Sequence, residues 1–423
     1  MKKTIKSTLV VSLLICLSHS LSAQNLSGDW KGSIDANGTE IPLIFHFLKT
    51  ISGRFEGKWD SPKQNANGLS FSEVDVVGDS IHLGIKMIGG AFRGRFINND
   101  SISGIWKQGQ HETSLNLSRF DSKISVPMYP DEKEIAISSA GKVKLFGTLL
   151  SKNNHQKIAI IIAGSGPTDR DGNNPIIAPT NEYQMLARSL DSQNIASFRY
   201  DKRGVAKSIV ENFKERDLVF EDYIKDAAKI FDFIHDTLGF KNVYFIGHSE
   251  GSLIAMIASQ KKKVDGYISV AGAGRPIDVI LEEQMHKSPL ADSVKQQITT
   301  IFKQLKQGKE VDDFPKILSP LFRKSIQPYM ISWLKYSPEK EIKKLNCPIL
   351  IIQGDCDAQV QIIDAENLHN AHKKSLLSII PMMSHTLKSA GENCGNQNKT
   401  YTDGSLPIDK ILVDDIVKFI KKN

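Results

Sequence analysis

The hydrophobic positions of the chain follow one pattern up to residue 120 and a different one after residue 133. In residues 24–120, short segments such as Ile41–Phe47 and Thr113–Leu117 alternate apolar and polar side chains or are rich in strand-forming residues. Gly, Asn, Asp and Ser separate these segments. A period of two is typical of half-buried strands. We therefore expect residues 24–120 to form a small antiparallel all-β domain, either a sandwich or a barrel.

Glycine and tryptophan recur together in this domain, at Gly28–Gly32, Gly57–Trp59 and Gly104–Trp106. We expect its aromatic side chains to fill the interior, because a barrel of about 95 residues has little space to spare inside. A ligand-binding barrel is the alternative hypothesis.

Residues 134–423 contain continuous apolar runs instead of alternating ones. Such runs are typical of strands that are buried on both faces. Helical patterns at Tyr223–Leu238 and Leu253–Gln260 lie between them, and Glu134–Ser138 with Val143–Leu150 predicts a hairpin. This alternation predicts an α/β fold, a mostly parallel sheet with helices on both faces. The runs are Ile158–Ala163, Ile195–Phe198, Val243–Ile246, Tyr267–Val270, Ile349–Ile352 and Leu376–Ile380.

Residues 277–345 interrupt this alternation with helical patterns alone, such as Asp292–Lys306 and Pro315–Trp333. A helical insertion of this length, placed late in an α/β sheet, predicts a lid over a site.

The first 23 residues have the layout of a secretory signal peptide. Lys2, Lys3 and Lys6 precede the apolar run Leu9–Leu17, and the small residue Ala23 marks the expected cleavage site. We therefore expect an exported protein, periplasmic or secreted, and find no other run long and apolar enough to span a membrane. Residues 121–133 are polar and contain proline, which predicts a linker between the two domains.

Composition narrows the class of protein. Of 423 residues, 40% are hydrophobic and 24% are charged, which is the balance of a globular protein with a sizeable core. The net charge of +7 is scattered, so nucleic acid is not an expected partner. Cys347, Cys356 and Cys394 do not have zinc-site spacing. A Cys356–Cys394 disulfide and free thiols remain alternatives, and we expect neither metal nor cofactor.

The strongest candidate chemistry is Gly247-His248-Ser249-Glu250-Gly251, between the apolar strand Val243–Ile246 and an apolar helix. The two glycines permit a sharp turn that exposes a serine oxygen, and the strand–turn–helix context is the one this motif requires. We therefore predict that Ser249 is a nucleophile.

A serine nucleophile needs an imidazole base and a carboxylate that orients it. Asp355 and Asp357 follow the strand Ile349–Ile352, and His385 follows the strand Leu376–Ile380. We predict His385 as the base and Asp357 as the acid. Asp355 is the less favoured alternative, because Asp357 lies a short turn beyond its strand and the loop geometry of this motif favours that offset.

The oxyanion formed during acyl transfer needs two backbone N–H donors. One is predicted at Glu250, which follows the nucleophile. The other is expected in the small-residue loop after the first parallel strand, at Gly164 or Ser165. This loop is followed by neither a Gly-Lys-Ser/Thr nor a Gly-x-Gly-x-x-Gly sequence, so we do not expect nucleotide binding. We interpret Asp201 and Arg203 as scaffold residues, though either could border the site.

Several segments together resemble the α/β-hydrolase superfamily, and more narrowly bacterial secreted esterases close to the serine aminopeptidase group. The resemblance covers roughly residue 134 to the C-terminus and implies that Ser249, Asp357 and His385 are nucleophile, acid and base. Ala163 stands where many relatives carry a histidine, so the choice between Gly164 and Ser165 stays open. The shared segments are Ala163–Gly172, Arg199–Gly204, Gly247–Gly251, Ser325–Tyr329, Gln353–Val360 and Met383–Lys388.

These observations predict a serine hydrolase of the carboxylesterase type that cleaves small esters with short to medium acyl groups. Two alternatives are kept. The first is an exopeptidase or amidase on small peptides, for which Glu282 and Glu283 are candidate ligands of a substrate amine. The second is a non-catalytic binding protein built on a hydrolase fold, against which an intact triad argues.

Overall fold

The chain divides into two compact units, Met1–Lys63 with Gly68–Asp121 and Gln64–Asn67 with Ser122–Asn423. Apart from the short stretch Gln64–Asn67, the boundary between the two units follows Asp121, the first residue of the predicted linker. The expected signal peptide lies outside the described residues. The computed structural model describes residues 25–36, 38–49, 54–61, 66–120, 129, 131–140, 143–152, 155–174, 179–209, 213–288 and 290–423.

The first unit is one antiparallel sheet of nine strands in the order β4-β3-β2-β1-β9-β8-β7-β6-β5. The sheet is curled, because β5, at one end of this order, lies in contact with β3, the second strand from the other end. The unit is therefore a single curled sheet, and not a sandwich of two sheets. Its strands are β1 (Gly28–Ala36), β2 (Thr39–Lys49), β3 (Phe55–Ser61), β4 (Ala66–Ser70), β5 (Glu73–Val77), β6 (Ser80–Ile85), β7 (Gly90–Asn98), β8 (Ser101–Gln108) and β9 (His111–Phe120).

Aromatic side chains fill the interior of this sheet, as predicted. Phe45 is fully buried and contacts the rings of Phe71, Phe92 and Trp106 at 5.1, 6.1 and 6.4 Å between ring centroids. Glycine accompanies these rings because it leaves room for them. A Cβ on Gly104 would lie 2.6 Å from the Phe92 ring and 2.4 Å from a backbone oxygen.

The second unit is built on an eight-stranded sheet in the order β10-β11-β13-β12-β14-β15-β16-β17. The first two strands form an antiparallel hairpin, and β11 also pairs antiparallel with β13. The remaining pairings, from β13 through β12 to β17, are parallel. The strands are β10 (Glu132–Ser138), β11 (Lys144–Leu150), β12 (Lys157–Ile162), β13 (Ala196–Tyr200), β14 (Asn242–His248), β15 (Gly266–Val270), β16 (Ile349–Gly354) and β17 (Leu376–Ile380).

Two apolar layers sandwich this sheet. In β12, Ile158 and Ile160 belong to one layer, while Ala159 and Ile161 belong to the other. Both faces of the strand are therefore buried, which explains its continuous apolar run. In the described residues, no helix is long and apolar enough to cross a bilayer. The helices outside residues 277–345 are α1 (Glu182–Asp191), α2 (Phe220–Asp232, continued by a π-helix over Phe233–Thr237), α3 (Glu250–Lys261), α9 (Ile362–Ala371), α10 (Gln397–Thr400) and α11 (Lys410–Lys422).

In residues 277–345, the helical segment, the described positions (277–288 and 290–345) contain no strand. The prediction of one helix over Pro315–Trp333 is wrong, because the chain breaks there into separate short helices. Pro320 and Pro328 each lie in the first turn of a new helix, where the missing N–H costs no hydrogen bond, although the same residue would interrupt a longer helix. The helices are α4 (Ile277–Lys287), α5 (Asp292–Lys306), α6 (Ser319–Phe322), α7 (Gln327–Trp333) and α8 (Pro338–Ile342).

Candidate active site

Ser249 stands between the end of β14 and the start of α3. Its backbone has φ 53° and ψ −119°, a strained conformation for a residue with a side chain. Only glycine fits on either side: a Cβ on Gly247 would lie 2.3 Å from the carbonyl oxygen of Gly251, and one on Gly251 would lie 2.2 Å from that of Ile162. The Ser249 N–H connects the turn to the neighbouring strand β15, because it donates to the Val270 carbonyl oxygen at 3.0 Å.

Asp357 and His385 meet at the carboxyl ends of β16 and β17. His385 Nδ1 lies 2.7 Å from Asp357 Oδ2. The other Asp357 oxygen accepts the backbone N–H groups of Gln359 and Val360, at 2.8 and 3.0 Å. Burial by itself would raise the pKa of Asp357, but His385 and these hydrogen bonds outweigh it and hold the pKa below its usual value. The ionised carboxylate therefore accepts a hydrogen bond from Nδ1–H, which leaves the lone pair of His385 on Nε2.

His248 joins the Ser249 turn to the His385 loop. The two imidazole rings are 4.8 Å apart between centroids, and His248 Nε2 lies 2.9 Å from the His385 carbonyl oxygen. In the part of the chain that the structure describes, Ser249 and His385 do not form a hydrogen bond with each other. Hydrogen bonds of this type often tighten only when substrate is bound.

A chain of hydrogen bonds continues from His248 to the loop after β12. Burial and the neighbouring His385 lower the pKa of His248 to about 3, so its ring is neutral. Because Nε2 must donate to a carbonyl, Nδ1 accepts from the Tyr183 hydroxyl, at 2.7 Å. That hydroxyl in turn accepts the N–H of Gly164, at 3.0 Å. Tyr183 and His248 were not singled out from the sequence; the only available signal was the place of His248 inside the motif.

The two predicted locations for the second oxyanion donor differ in this structure. The Gly164 N–H already donates to Tyr183, whereas Ser165 is exposed. A Cβ on Gly164 would lie 3.2 Å from the Ser249 Cβ, so this loop lies directly beside Ser249. Glu250 is the first residue of α3, and its N–H has no acceptor within the helix. The N–H groups of Ser165 and Glu250 therefore remain the candidate donors to an oxyanion.

Asp355 has a different partner from Asp357. It is exposed and accepts the backbone N–H of Met382 at 2.6 Å. This contact fixes the turn between β17 and His385. The structure thus pairs Asp357, and not Asp355, with the imidazole.

Asp201 and Arg203 form buried ion pairs with other parts of the scaffold. Asp201 accepts from the backbone N–H and the guanidinium of Arg170, at 2.9 and 2.6 Å. Arg203 donates to both oxygens of Asp226, at 2.6 and 3.0 Å. These contacts order the loops after β12 and β13.

Cys356 and Cys394 form a disulfide, the alternative left open above, while Cys347 is a free, half-buried thiol. Cys356 immediately precedes Asp357, and its carbonyl accepts from Gln397 Nε2 at 2.6 Å. The acid loop is therefore attached to the segment that follows the His385 loop.

Potential metal ligands lie elsewhere in the described residues. Glu73, Asp75 and His82, on β5 and β6 of the first unit, are close enough to share an ion. Two of the three are exposed, and exposed acidic groups of this kind commonly bind nothing.

The chain is similar to several known proteins. The model of one protein family, described as serine aminopeptidase, S33, matches residues 177–389. Esterase EstD of Thermotoga maritima is 25% identical over 308 residues, which are 69% of this chain and 68% of the relative.

Two solved structures are also similar. Est1E from Butyrivibrio proteoclasticus with ferulic acid bound is 19% identical, with a TM-score of 0.47, and the match covers 68% of this chain and 98% of that one. The Pyrococcus furiosus esterase Pf2001 is 13% identical, with a TM-score of 0.47 and coverage of 71% and 95%.

The family match spans half of the chain and includes Ser249, Asp357 and His385. The resemblance to the α/β-hydrolase superfamily, close to the serine aminopeptidase group, is thereby confirmed. The chain belongs to the serine aminopeptidase S33 family of α/β-hydrolases.

Proposed function

We propose that the protein hydrolyses carboxylic esters through an acyl-enzyme on Ser249. The observation that carries the proposal is the 2.7 Å contact of His385 with the ionised Asp357, beside a strained turn that presents Ser249. Similarity to the esterase of Thermotoga maritima supports an ester over other acyl substrates.

In the proposed mechanism, His385 Nε2 takes the proton of Ser249 Oγ while that oxygen attacks the ester carbonyl. Asp357 stabilises the imidazolium, and the N–H groups of Ser165 and Glu250 bind the oxyanion. The ester C–O bond then breaks, and His385 protonates the leaving alcohol. Water, deprotonated by the same imidazole, attacks the acyl-enzyme and releases the acid and Ser249.

The acidic side chains considered as amine ligands are engaged elsewhere. Both oxygens of Glu283 accept from Arg275, at 2.6 and 3.1 Å. Glu282 accepts from the Thr299 hydroxyl at 3.2 Å. A substrate amine would have to compete with these partners, which favours the ester over the exopeptidase hypothesis. Comparing the hydrolysis of an aminoacyl ester with that of its p-nitroanilide separates the two.

We also propose that the helical segment acts as a lid that limits the acyl chain to short and medium lengths. The support is its contact with the site: Tyr329 on α7 donates its hydroxyl hydrogen to the Glu250 carboxylate. We expect kcat/KM to fall for p-nitrophenyl esters of long fatty acids; a preference for long chains would contradict this proposal.

The first test is hydrolysis of p-nitrophenyl acetate and butyrate by the wild type and by Ser249→Ala. We expect the variant to lose about 10⁴-fold or more in kcat, because a serine nucleophile has no substitute. Ser259→Ala is the matched control, since Ser259 is a buried serine on α3, the helix that follows Ser249, and its hydroxyl donates to the Ala255 carbonyl oxygen. Equal turnover by wild type and Ser249→Ala would refute the proposed mechanism.

We also propose that the protein is exported from the cytoplasm. The pattern of residues 1–23 supports it, and so does the Cys356–Cys394 disulfide, because such bonds persist mainly in oxidising compartments. N-terminal sequencing of the protein from its native host tests it: we expect Gln24 as the first residue, and an intact Met1 in the cytoplasmic fraction would contradict it.

A further inference from the structure

Lys202 is a buried cation close to the nucleophile, and the proposed mechanism does not use it. Its side chain is 1% exposed. Its ammonium donates to the carbonyl oxygen of Gly164 at 2.5 Å and to Glu250 Oε2 at 2.7 Å, and it lies 4.8 Å from the centre of the Tyr223 ring. A lysine is rarely buried unless it is paired, so these contacts account for its position.

The Glu250 carboxylate is equally buried and has a partner on each oxygen. Lys202 binds one oxygen, and the Tyr329 hydroxyl donates to the other. Burial, and then the neighbouring carboxylate, raise the pKa of Tyr329 well above its usual value, so the hydroxyl keeps its proton and acts as donor. Lys202, Glu250 and Tyr329 form a closed cluster of one cation, one anion and one neutral donor.

The cluster is connected to both proposed oxyanion donors: Lys202 binds the peptide group that contains the Ser165 N–H, and Glu250 is itself a member of the cluster. The carbonyl of Gly164 and the N–H of Ser165 belong to the same peptide group, and this group is trans. In a trans peptide the C=O and the N–H point in opposite directions. Lys202 therefore holds the far end of the group whose near end would bind the oxyanion. Its other partner, Glu250, carries the second donor on its own backbone.

An ammonium on a peptide oxygen also changes the peptide electronically. It draws electron density toward the oxygen, and a hydrogen-bonded group polarised in this way becomes a stronger donor at its N–H.

We propose that Lys202 is a positioning residue for the oxyanion hole: it orients and polarises the Gly164–Ser165 peptide, and Glu250 and Tyr329 hold it there. The inference rests on the proposed function, because it takes Ser165 and Glu250 as the oxyanion donors.

The main competing explanation is that the Lys202–Glu250 pair serves only to stabilise the fold. A double substitution separates the two explanations. Lys202→Met leaves a buried carboxylate without its cation and should lower stability. Lys202→Met/Glu250→Gln removes both charges at similar volume, and such replacements of buried ion pairs are often neutral or stabilising. Thermal unfolding should therefore recover in the double variant, which also carries the test if the single variant does not fold.

We expect kcat of the double variant to stay about tenfold to a hundredfold below the wild type, with KM little changed, because the lost interaction acts in the transition state. Affinity for a trifluoromethyl ketone, which forms a tetrahedral oxyanion on Ser249, should fall in parallel with kcat/KM. Tyr244→Phe controls for the loss of a buried hydrogen bond outside the Lys202–Glu250–Tyr329 cluster, since the Tyr244 hydroxyl donates to the Ile420 carbonyl oxygen. Recovery of kcat together with stability in the double variant would overturn the inference.

A second readout keeps this result distinct from a failure of the proposed function. If the wild type hydrolyses no ester, the proposed function is wrong, whatever the variants do. The rate of Ser249 labelling by a fluorophosphonate then tests Lys202. In that reaction His385 takes the proton of Ser249 Oγ, the oxygen bonds to phosphorus, and the P–F bond breaks to release fluoride, while the phosphoryl oxygen occupies the same hole. We expect the double variant to be labelled about tenfold or more slowly; labelling at the wild-type rate would overturn the inference.

Discussion

At the scale of single residues, the site depends on one carboxylate that stays ionised while buried. Asp357 is only 8% exposed, but its carboxylate accepts hydrogen bonds from the Gln353 side chain and from the N–H groups of Gln359 and Val360. It also contacts the His385 imidazole. Hydrogen bonds to the charged form compensate for lost hydration. The result is an imidazole with one defined tautomer, whose free nitrogen is the one needed for proton transfer.

Asp357→Asn should therefore change the chemistry without changing the shape of the site. An asparagine amide can donate to Nδ1, which would move the ring proton to Nε2 and remove the base. We expect kcat for p-nitrophenyl butyrate to fall by about 10³–10⁴-fold, as for other triads of this type. Asp355→Asn is the matched control and should keep most of its kcat. Similar losses in both variants would mean that the loop, and not the Asp357 carboxylate, is responsible.

At the scale of elements, a histidine joins three neighbouring strands of the first unit. His46 on β2 binds Asp29 on β1 through Nδ1 and Asp60 on β3 through Nε2, each at 2.7 Å. Burial alone would lower the pKa of His46, but the two carboxylates outweigh it and raise the pKa to about 9. The charged imidazolium therefore ties the strands together at neutral pH.

This contact predicts a pH-dependent stability for the first unit. The folded pKa lies above the unfolded value of about 6.5, so the stabilisation is complete below that pH and is lost as the pH rises through about 9. We expect His46→Asn to lower the free energy of unfolding by roughly 2 kcal/mol at pH 6, and the difference to shrink toward pH 10.

Tryptophan fluorescence measures this unit in the full chain, because Trp30, Trp59 and Trp106 lie in it and only Trp333 lies in the other. A variant of His111, an exposed histidine of the same unit, serves as control. A difference between wild type and His46→Asn that does not change with pH would contradict the assignment.

At the scale of the whole molecule, the chemistry and the curled sheet belong to separate units. Each unit has its own apolar core, and all residues assigned to the site lie in the second. Units with independent cores can often fold independently.

Deleting residues 24–120 should therefore leave a folded hydrolase with kcat for p-nitrophenyl butyrate within about threefold of the wild type. Thermal unfolding of the fragment, measured beside the full chain, checks that the fragment folds. A folded fragment with much lower kcat would show that the first unit contributes to turnover.

Much of the fold follows from local patterns in the sequence. The apolar runs correspond to β12–β17. Strands β12–β16 are buried on both faces, which favours apolar residues at successive positions. The edge strand β17 is different, because Leu376 and Ile379 are exposed. The bounds of α5 agree with its predicted range, Asp292–Lys306, since its amphipathic pattern contains no proline. The pattern misled over Pro315–Trp333, where apolar spacing suggested one helix and the prolines divide it.

The sequence by itself indicated the turn at Ser249, because the contact that requires glycine at position 247, with the Gly251 carbonyl, is local. It also determined the order of Ser249, Asp357 and His385 along the chain. The requirement for glycine at position 251 is tertiary, since its Cβ would meet the Ile162 carbonyl. Only the tertiary structure decided which groups pair: Asp357 with His385, the Gly164 N–H with Tyr183, Cys356 with Cys394, and Lys202 with Glu250. The physical reason is distance along the chain. A hydrogen bond or an ion pair requires contact within a few ångströms, and which distant residues make that contact depends on how the strands, helices and loops pack.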